Sequence, residues 1–298
     1  MIKVKKMSKM SKIVETALDK KHREYVDDAD KADEHMQERS LEEDETYEIP
    51  KGVYRTKVES KDLFGCQMVA FNETEDAEYL VIYLHGGIYV NEIRLPHIFF
   101  CDKLAKKINA CIFAPIYPLA PNHTYDETYE IVENLYRHLL DMDKPIIIMG
   151  DSAGGGLSAA FCEYLAVKNL PQPKNLILIS PWLDISMSGN YDEVEFDPML
   201  GVDGIREMGK AWAGDLDTKD YRVSPLFGEV SKLPKTTLFT GTHEIFYVDI
   251  INFYEKLKEN GVDTELNVGE GMTHVYAIYP LVPESKEAFK HIVEVILD

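Results

Sequence analysis

Positive charge and long apolar runs are scarce in this chain, and each scarcity excludes a class of function. The chain of 298 residues has 32 Lys and Arg against 52 Asp and Glu, a formal net charge of −20. Such a surface repels a phosphate backbone, so we expect no nucleic-acid partner. The apolar runs fall far short of the roughly 20 residues of a membrane span. No apolar region follows the N-terminal lysines, so neither a signal peptide nor stable membrane insertion is predicted.

Cysteines are also few, and their spacing is not that of a metal site or a redox pair. Cys66, Cys101, Cys111 and Cys162 form no CxxC pair and show no zinc-ligand spacing. Each lies in an apolar stretch, where a cysteine behaves as a small core residue. We therefore predict no metal site and a reducing, cytoplasmic location.

Alternating strand and helix patterns predict an α/β fold in most of the chain. Short apolar runs typical of strands buried on both faces alternate with amphipathic helices. Such alternation favours a parallel sheet with right-handed crossovers. The predicted strands are residues 53–58, 67–71, 80–84, 111–116, 146–149, 176–179, 236–240 and 264–268.

Two segments lack strand patterns and are interpreted as a cap over the sheet. Residues 1–50 are helical in composition and heavily charged. Residues 183–232 contain one amphipathic helix and no convincing strand, so they are predicted to be an insertion. Residues 51–182 and 233–298 then form the α/β core.

A candidate nucleophile lies between a buried strand and a helix of small residues. Gly150-Asp151-Ser152-Ala153-Gly154 fits G-x-S-x-G, and the strand–turn–helix context is that of a nucleophile elbow. At the start of the helix, its dipole favours negative charge developing on Ser152. A glycine-rich turn with Ser152 as a simple N-cap is the alternative. A phosphate loop is a weaker rival, because no Lys-Ser or Lys-Thr follows the glycines.

A second motif predicts a site for the oxyanion of a tetrahedral intermediate. His85-Gly86-Gly87 directly follows the strand at residues 80–84. The backbone N–H groups of Gly86 and Gly87, with that of Ala153, are the predicted oxyanion donors. His85 precedes the nucleophile and is interpreted as structural. Two motifs in the right order, each at the end of a strand, favour a hydrolase.

The general base should follow the nucleophile, because this fold runs serine, acid, histidine. Only His243, His274 and His291 follow Ser152. His291 lies opposite the apolar face of the last helix, and His243 leaves little room for an acid before it. His274 lies in a glycine-containing loop after the last strand, so position and elimination favour it.

The acid should lie just beyond the strand at residues 236–240. Glu244 is the predicted acid, and Asp249 is the alternative. Asp249 is five residues further on, about one and a half turns of helix at roughly 3.6 residues per turn. Glu244 is also explained as a helix-start residue favoured by the dipole.

Together these motifs resemble the bacterial hormone-sensitive-lipase-like esterases, from about residue 53 to the end of the chain. The resemblance implies the α/β-hydrolase fold, with a mostly parallel eight-stranded sheet, flanking helices and a helical cap. It also implies hydrolysis of small carboxylic esters without a cofactor. One departure is that many members carry Asp at the position of Glu244. The shared motifs are His85-Gly86-Gly87, Gly150-Asp151-Ser152-Ala153-Gly154-Gly155, Ser180-Pro181-Trp182-Leu183-Asp184, Asp197-Pro198, Val223-Ser224-Pro225-Leu226 and Gly271-Met272-Thr273-His274.

The predicted function is a serine carboxylic-ester hydrolase that works through an acyl-enzyme on short- to medium-chain acyl esters. The alternatives are an amide or peptide hydrolase of the same fold and a non-catalytic receptor for a small ligand. Candidate substrate-binding residues lie beside the motifs, and Tyr89 and Trp182 are expected to narrow the pocket to acyl chains of about two to eight carbons. These candidates are Ile88, Tyr89, Trp182 and Val275.

A homodimer is also predicted. The last strand should lie at an edge of the sheet, where an uncovered strand invites pairing with a second copy. Similar esterases often pair there.

Overall fold

A nine-stranded, mostly parallel sheet runs through the protein, seen in a computed structural model that describes residues 2–4, 7–41, 46–192 and 194–298. The strands are β1 (Ile2–Val4), β2 (Val58–Leu63), β3 (Cys66–Phe71), β4 (Tyr79–Leu84), β5 (Ala110–Pro115), β6 (Ile146–Asp151), β7 (Asn175–Ile179), β8 (Lys235–His243) and β9 (Thr264–Thr273). Their spatial order is β1-β9-β8-β7-β6-β4-β5-β3-β2. Among the strands of the described residues, the pairs β2–β3 and β3–β5 are antiparallel and the other pairs are parallel.

Helices cover both faces of the sheet, which explains why its central strands are apolar throughout. Along β4, Leu80 and Ile82 belong to one buried cluster and Val81 and Tyr83 to the other. The helices are α1 (Lys9–Asp19), α2 (Ala29–Ser40), α3 (Leu95–Ile108), α4 (Tyr125–Leu140), α5 (Ser152–Val167), α6 (Asp203–Ala213), α7 (Tyr247–Glu259) and α8 (Pro283–Leu297). The first cluster includes residues of α4, α5 and α7, and the second includes residues of α3 and α8.

The predicted sheet is confirmed, but its first strand was placed wrongly. Residues 53–57 do not form a strand, and β2 begins at Val58. A two-residue turn at Phe64-Gly65 joins β2 to β3, and both turn residues have positive φ, as tight hairpins require. The preceding segment is held instead by the buried carboxylate of Asp102, which accepts the N–H groups of Arg55 and Thr56 at 2.9 Å.

The last strand is not an edge strand, because β1 pairs with it in parallel. Ile2, Lys3 and Val4 lie opposite Asn267, Val268 and Gly269. The expected free edge on β9 was therefore wrong, and with it the structural reason for pairing two copies there. The homodimer itself stays a prediction.

The N-terminal segment and the insertion after β7 contact each other over the site end of the sheet. Helix α2 packs against α6, and a Cβ on Gly204 would lie only 2.0 Å from the carbonyl oxygen of Tyr25. Within the predicted segments 1–50 and 183–232, residues 1, 5, 6, 42–45 and 193 lie outside the described residues. Among the helices described, none has the length and apolar character to cross a bilayer.

Candidate active site

Ser152 lies at the sharp turn between β6 and α5, where its backbone has a φ of 52°. A non-glycine residue in this region is uncommon and marks a constrained position. The flanking glycines permit the turn, because a Cβ on Gly150 would lie 2.3 Å from the Gly154 oxygen. A Cβ on Gly154 would lie 2.0 Å from the Leu84 oxygen. The predicted elbow is therefore present as a structural feature.

Ser152, His274 and Glu244 come together from the ends of three strands, β6, β9 and β8. The Oγ atom of Ser152 lies 2.8 Å from Nε2 of His274, and Nδ1 of His274 lies 2.6 Å from Oε2 of Glu244. All three side chains are buried, with Ser152 only 5% exposed at the base of a cavity. This arrangement can pass a proton from the hydroxyl to the imidazole while a carboxylate stabilises the resulting cation.

Oε1, the carboxylate oxygen of Glu244 that does not contact His274, holds the acid in place. Oε1 accepts hydrogen bonds from Thr240 Oγ1 at 2.6 Å, Gly241 N at 2.7 Å and Ser180 Oγ at 2.9 Å. The Ser180 hydroxyl in turn accepts the N–H of Val275 at 3.0 Å. Ser180 therefore ties the acid to the residue beside His274. This bridging role is not predicted by the sequence around Ser180, although the residue belongs to the Ser180-Pro181-Trp182 motif.

Asp197 ties the inserted segment to the loop that follows β8, a role that the sequence analysis did not predict. Its Oδ2 accepts the N–H of Ile245 at 2.8 Å, and its Oδ1 accepts that of Met199 at 2.8 Å. Burial raises the pKa of Asp197 to about 6, although nearby His274 and the backbone donors oppose the rise. The Asp197-Pro198 motif was the available signal.

Asp249, the alternative acid, lies in α7 and forms no hydrogen bond with His274 in the described structure. Its Oδ2 accepts the hydroxyl of Tyr191 at 2.8 Å. Burial raises the pKa of Asp249 to about 7, an effect that the Tyr191 hydrogen bond only partly opposes. Asp249 is therefore a buried carboxyl that joins the inserted segment to α7.

Asp249→Asn is expected to flatten the pH dependence of stability. A carboxyl whose pKa rises from 3.8 to about 7 on folding weakens the fold as pH increases through that window. Between pH 5 and 8 the wild type should lose roughly 2–3 kcal/mol of unfolding free energy that the variant keeps. Urea unfolding of both proteins at the two pH values measures this, and parallel losses would contradict it.

The glycine loop differs from the prediction in which of its N–H groups already has a hydrogen-bond acceptor. Gly86 N–H donates to Asp151 Oδ1 at 3.2 Å, so its assignment as an oxyanion donor was wrong. Gly87 and Ile88 line the cavity with Ser152, and their N–H groups have no acceptor among the described residues. The Ala153 N–H lies in the first turn of α5, where helical N–H groups lack an intrahelical acceptor.

Asp151 holds the glycine loop through a buried network. Besides Gly86, its carboxylate accepts the hydroxyl of Tyr83 at 2.6 Å and lies 3.2 Å from Nε2 of His97. Burial acts to raise the pKa of Asp151, but His97 and the Tyr83 hydrogen bond outweigh it and lower that pKa. His85 is fully buried, stacks on the Tyr117 ring and contacts the Gly86 carbonyl, consistent with the structural role expected for it.

Tyr89 and Trp182 do not line the cavity, and their assignment as substrate-binding residues was wrong. The Tyr89 ring stacks on Trp212 at 4.3 Å and on Trp182 at 5.6 Å, and its hydroxyl donates to the Ala153 carbonyl at 2.7 Å. Trp182 donates through Nε1 to the Asp184 carbonyl at 3.0 Å. Both side chains are buried beneath the nucleophile turn and support it by packing.

Ile88 and Val275 line the cavity, and their contact with substrate stays a prediction. The cavity has a volume of about 320 Å³ and is partly open to solvent. Both segments interpreted as caps contribute to its wall. Leu18 and Val26 come from the N-terminal segment, and Leu200 comes from the insertion.

Comparison with known proteins identifies the family. Residues 81–278 match a protein family described by the alpha/beta hydrolase fold. The chain belongs to this family. It is 31% identical to an esterase of Acinetobacter venetianus over 73% of this chain and 74% of the relative. It is 26% identical to an acetyl-hydrolase of Streptomyces hygroscopicus over 70% of this chain and 72% of the relative.

Solved structures agree with this assignment. An esterase/lipase from an uncultured bacterium superposes with a TM-score of 0.82 at 27% identity, covering 96% of this chain and 97% of that one. A hormone-sensitive lipase from a metagenome library superposes with a TM-score of 0.81 at 26% identity, covering 98% and 99%. The α/β-hydrolase fold and the resemblance to hormone-sensitive-lipase-like esterases are thereby confirmed for this family member.

Proposed function

We propose that this α/β-hydrolase is a serine carboxylic-ester hydrolase with Ser152 as nucleophile, His274 as general base and Glu244 as triad acid. The observation that carries the proposal is the continuous contact from Ser152 Oγ to His274 at 2.8 Å and from His274 to Glu244 at 2.6 Å. The names of the relatives, esterase and acetyl-hydrolase, support the same chemistry.

The reaction follows from the positions of these groups. Nε2 of His274 takes the proton of Ser152 as Oγ attacks the ester carbonyl, and the imidazolium returns that proton to the departing alcohol. The acyl group is then held on Ser152, and a water deprotonated by His274 releases it as the carboxylic acid. Glu244 keeps Nδ1 protonated and stabilises the imidazolium, which makes Nε2 the proton acceptor.

The oxyanion donors in this proposal are the N–H groups of Gly87, Ile88 and Ala153. Ile88 is β-branched yet has a φ of 60°, and such strain persists where the surroundings impose it, often at functional sites. The Asp151 network fixes the loop from behind, through Gly86. Preorganised donors of this kind typically contribute on the order of 100- to 1,000-fold each to turnover.

Short and medium acyl chains are the expected substrates. A cavity of about 320 Å³ lies at the small end of ligand pockets, and the two cap segments form part of its wall. Among p-nitrophenyl esters of increasing chain length, kcat/KM should peak between about two and eight carbons and fall roughly tenfold or more for long chains. Strong activity on emulsified long-chain triglyceride with little on butyrate would refute this.

A matched pair of substrates separates the proposed function from its alternatives. The purified protein should hydrolyse p-nitrophenyl butyrate much faster than the corresponding p-nitroanilide. Comparable anilide cleavage would favour an amide hydrolase, and no turnover of any ester would favour a receptor.

Small-molecule esters are the proposed partners. A cytoplasmic location completes the proposal, since all four cysteines are buried thiols suited to a reducing compartment.

A further inference from the structure

Three cationic side chains line the cavity that contains Ser152 and His274. Lys21 and Arg23 come from the segment after α1, and Arg94 precedes α3. All three are exposed to solvent. None of them forms an ion pair with a carboxylate in the part of the chain that the structure describes. Their charges are therefore available to a molecule in the cavity.

This positive wall contrasts with the rest of the protein. The chain carries 52 acidic residues against 32 Lys and Arg, yet the lining of this cavity has three such cations and one carboxylate, among the residues described. That carboxylate is Asp151, which is buried and accepts hydrogen bonds from Tyr83 and Gly86. The local excess of positive charge thus opposes the net charge of −20.

We infer that this enzyme prefers anionic esters, which carry a carboxylate or phosphate group several bonds from the scissile carbonyl. The inference rests on the proposed ester-hydrolase function. The ester must reach Ser152 at the buried end of the cavity, while a charged group elsewhere on the substrate meets the cations nearer to solvent. Charged side chains around a cleft raise the local concentration of substrates of the opposite charge and steer their approach.

The three cations are not equally free to bind a substrate. Arg23 donates to the Tyr25 hydroxyl at 3.0 Å and lies 5.7 Å from the centre of that ring, so it also supports the cap. Lys21 and Arg94 have no hydrogen bond through their charged groups among the described residues. They are therefore the positions at which charge can be removed with the least disturbance of packing.

The preference for anionic esters should appear mainly as a lower KM. Attraction by Lys21 and Arg94 acts on the bound ester and on its transition state alike, and such uniform binding lowers KM without raising kcat. An exposed ion pair changes affinity by up to about fivefold, from the range of 0.2–1 kcal/mol measured for such pairs. Because these charges are exposed, added salt should weaken the preference.

The test compares esters of matched size that differ in charge. One pair, 4-acetoxybenzoate against 4-acetoxybenzamide, places the charge on the alcohol side. A second pair, 4-nitrophenyl hydrogen adipate against 4-nitrophenyl heptanoate, places it on the acyl side. Adding 4-acetoxyphenyl phosphate distinguishes a phosphate from a carboxylate. We expect at least one anionic ester to exceed its neutral partner in kcat/KM by about fivefold or more at low salt, from two exposed pairs acting together.

Variants decide whether the cations cause the preference. Lys21→Gln combined with Arg94→Gln should remove the preference, so that the anionic and neutral members of each pair are hydrolysed with similar kcat/KM. Lys232→Gln, an exposed lysine outside the cavity lining, should keep the preference. Equal rates on all matched pairs, or a preference that survives the double variant, would overturn the inference. Failure to hydrolyse even the neutral esters would instead refute the proposed function.

Discussion

Ser152→Ala is expected to lower turnover of p-nitrophenyl butyrate by on the order of a million-fold, as loss of the serine does in comparable triads. The change removes the hydroxyl oxygen that lies 2.8 Å from His274 Nε2, and with it the possibility of an acyl-enzyme. The loss should appear in kcat, because the cavity wall and the backbone donors remain. Steady-state kinetics on purified wild type and variant measure it.

Ser158→Ala is the matched control for this experiment. Ser158 is also buried in α5, but its hydroxyl donates to the Gly154 carbonyl at 2.7 Å and does not reach the cavity. The variant should fold and keep most of its activity. If Ser152→Ala is as active as Ser158→Ala, another residue is the nucleophile and the proposed mechanism is wrong.

Glu244→Gln is expected to lower turnover by on the order of ten-thousand-fold. Three donors, from Thr240, Gly241 and Ser180, surround Oε1. They would hold the amide oxygen in that position, so the NH₂ group would face Nδ1 of His274. The imidazole would then carry its proton on Nε2, where it cannot accept the proton of the serine hydroxyl. Circular dichroism should show that the variant is folded.

Asp249→Asn is the control that distinguishes the two candidate acids. Asparagine keeps an acceptor for the Tyr191 hydroxyl, so the packing of α7 should survive and most activity should remain. The opposite pattern, an inactive Asp249→Asn beside a healthy Glu244→Gln, would show that the acid has been misplaced. The proposed roles of Ser152 and His274 could stand even then.

The parts of the site that follow from local sequence could be predicted before the structure was known. Ser152 depends on a turn whose glycines are adjacent in the chain, and chain order leaves one well-placed histidine, His274. Glu244 was preferred to Asp249 as the acid because it lies closer to the end of the strand at residues 236–240. The structure brings Ser152, His274 and Glu244 within hydrogen-bond distance, in agreement with this reasoning.

The errors concern contacts between distant segments. Gly86 was expected to face the site, but its N–H is taken by Asp151, which lies 65 residues away. Tyr89 and Trp182 lie beside motifs, yet they stack on each other below the nucleophile turn. Neighbouring residues in a turn or strand often point to opposite sides, so proximity in sequence does not decide which side chain reaches the cavity.

The two edges of the sheet were predicted wrongly for similar reasons. Pairing of β1 with β9 joins residues more than 260 positions apart, and no local pattern in the N-terminal segment indicates it. The hairpin between β2 and β3 had only half of a local signal, since Gly65 suits the second position of a two-residue turn but Phe64 is not a residue that favours the positive φ it adopts. The observed start of β2 at Val58 is therefore fixed by its pairing with β3.

Covalent labelling tests the central claim, that Ser152 is an activated nucleophile, most directly. The purified protein should react with a fluorophosphonate probe in a one-to-one ratio, and peptide mapping by mass spectrometry should place the adduct on Ser152. Labelling should fall to background in Ser152→Ala and drop sharply in His274→Ala, because the unassisted hydroxyl is a weak nucleophile. An adduct on any other residue, or an active enzyme that the probe neither labels nor inhibits, would contradict the account.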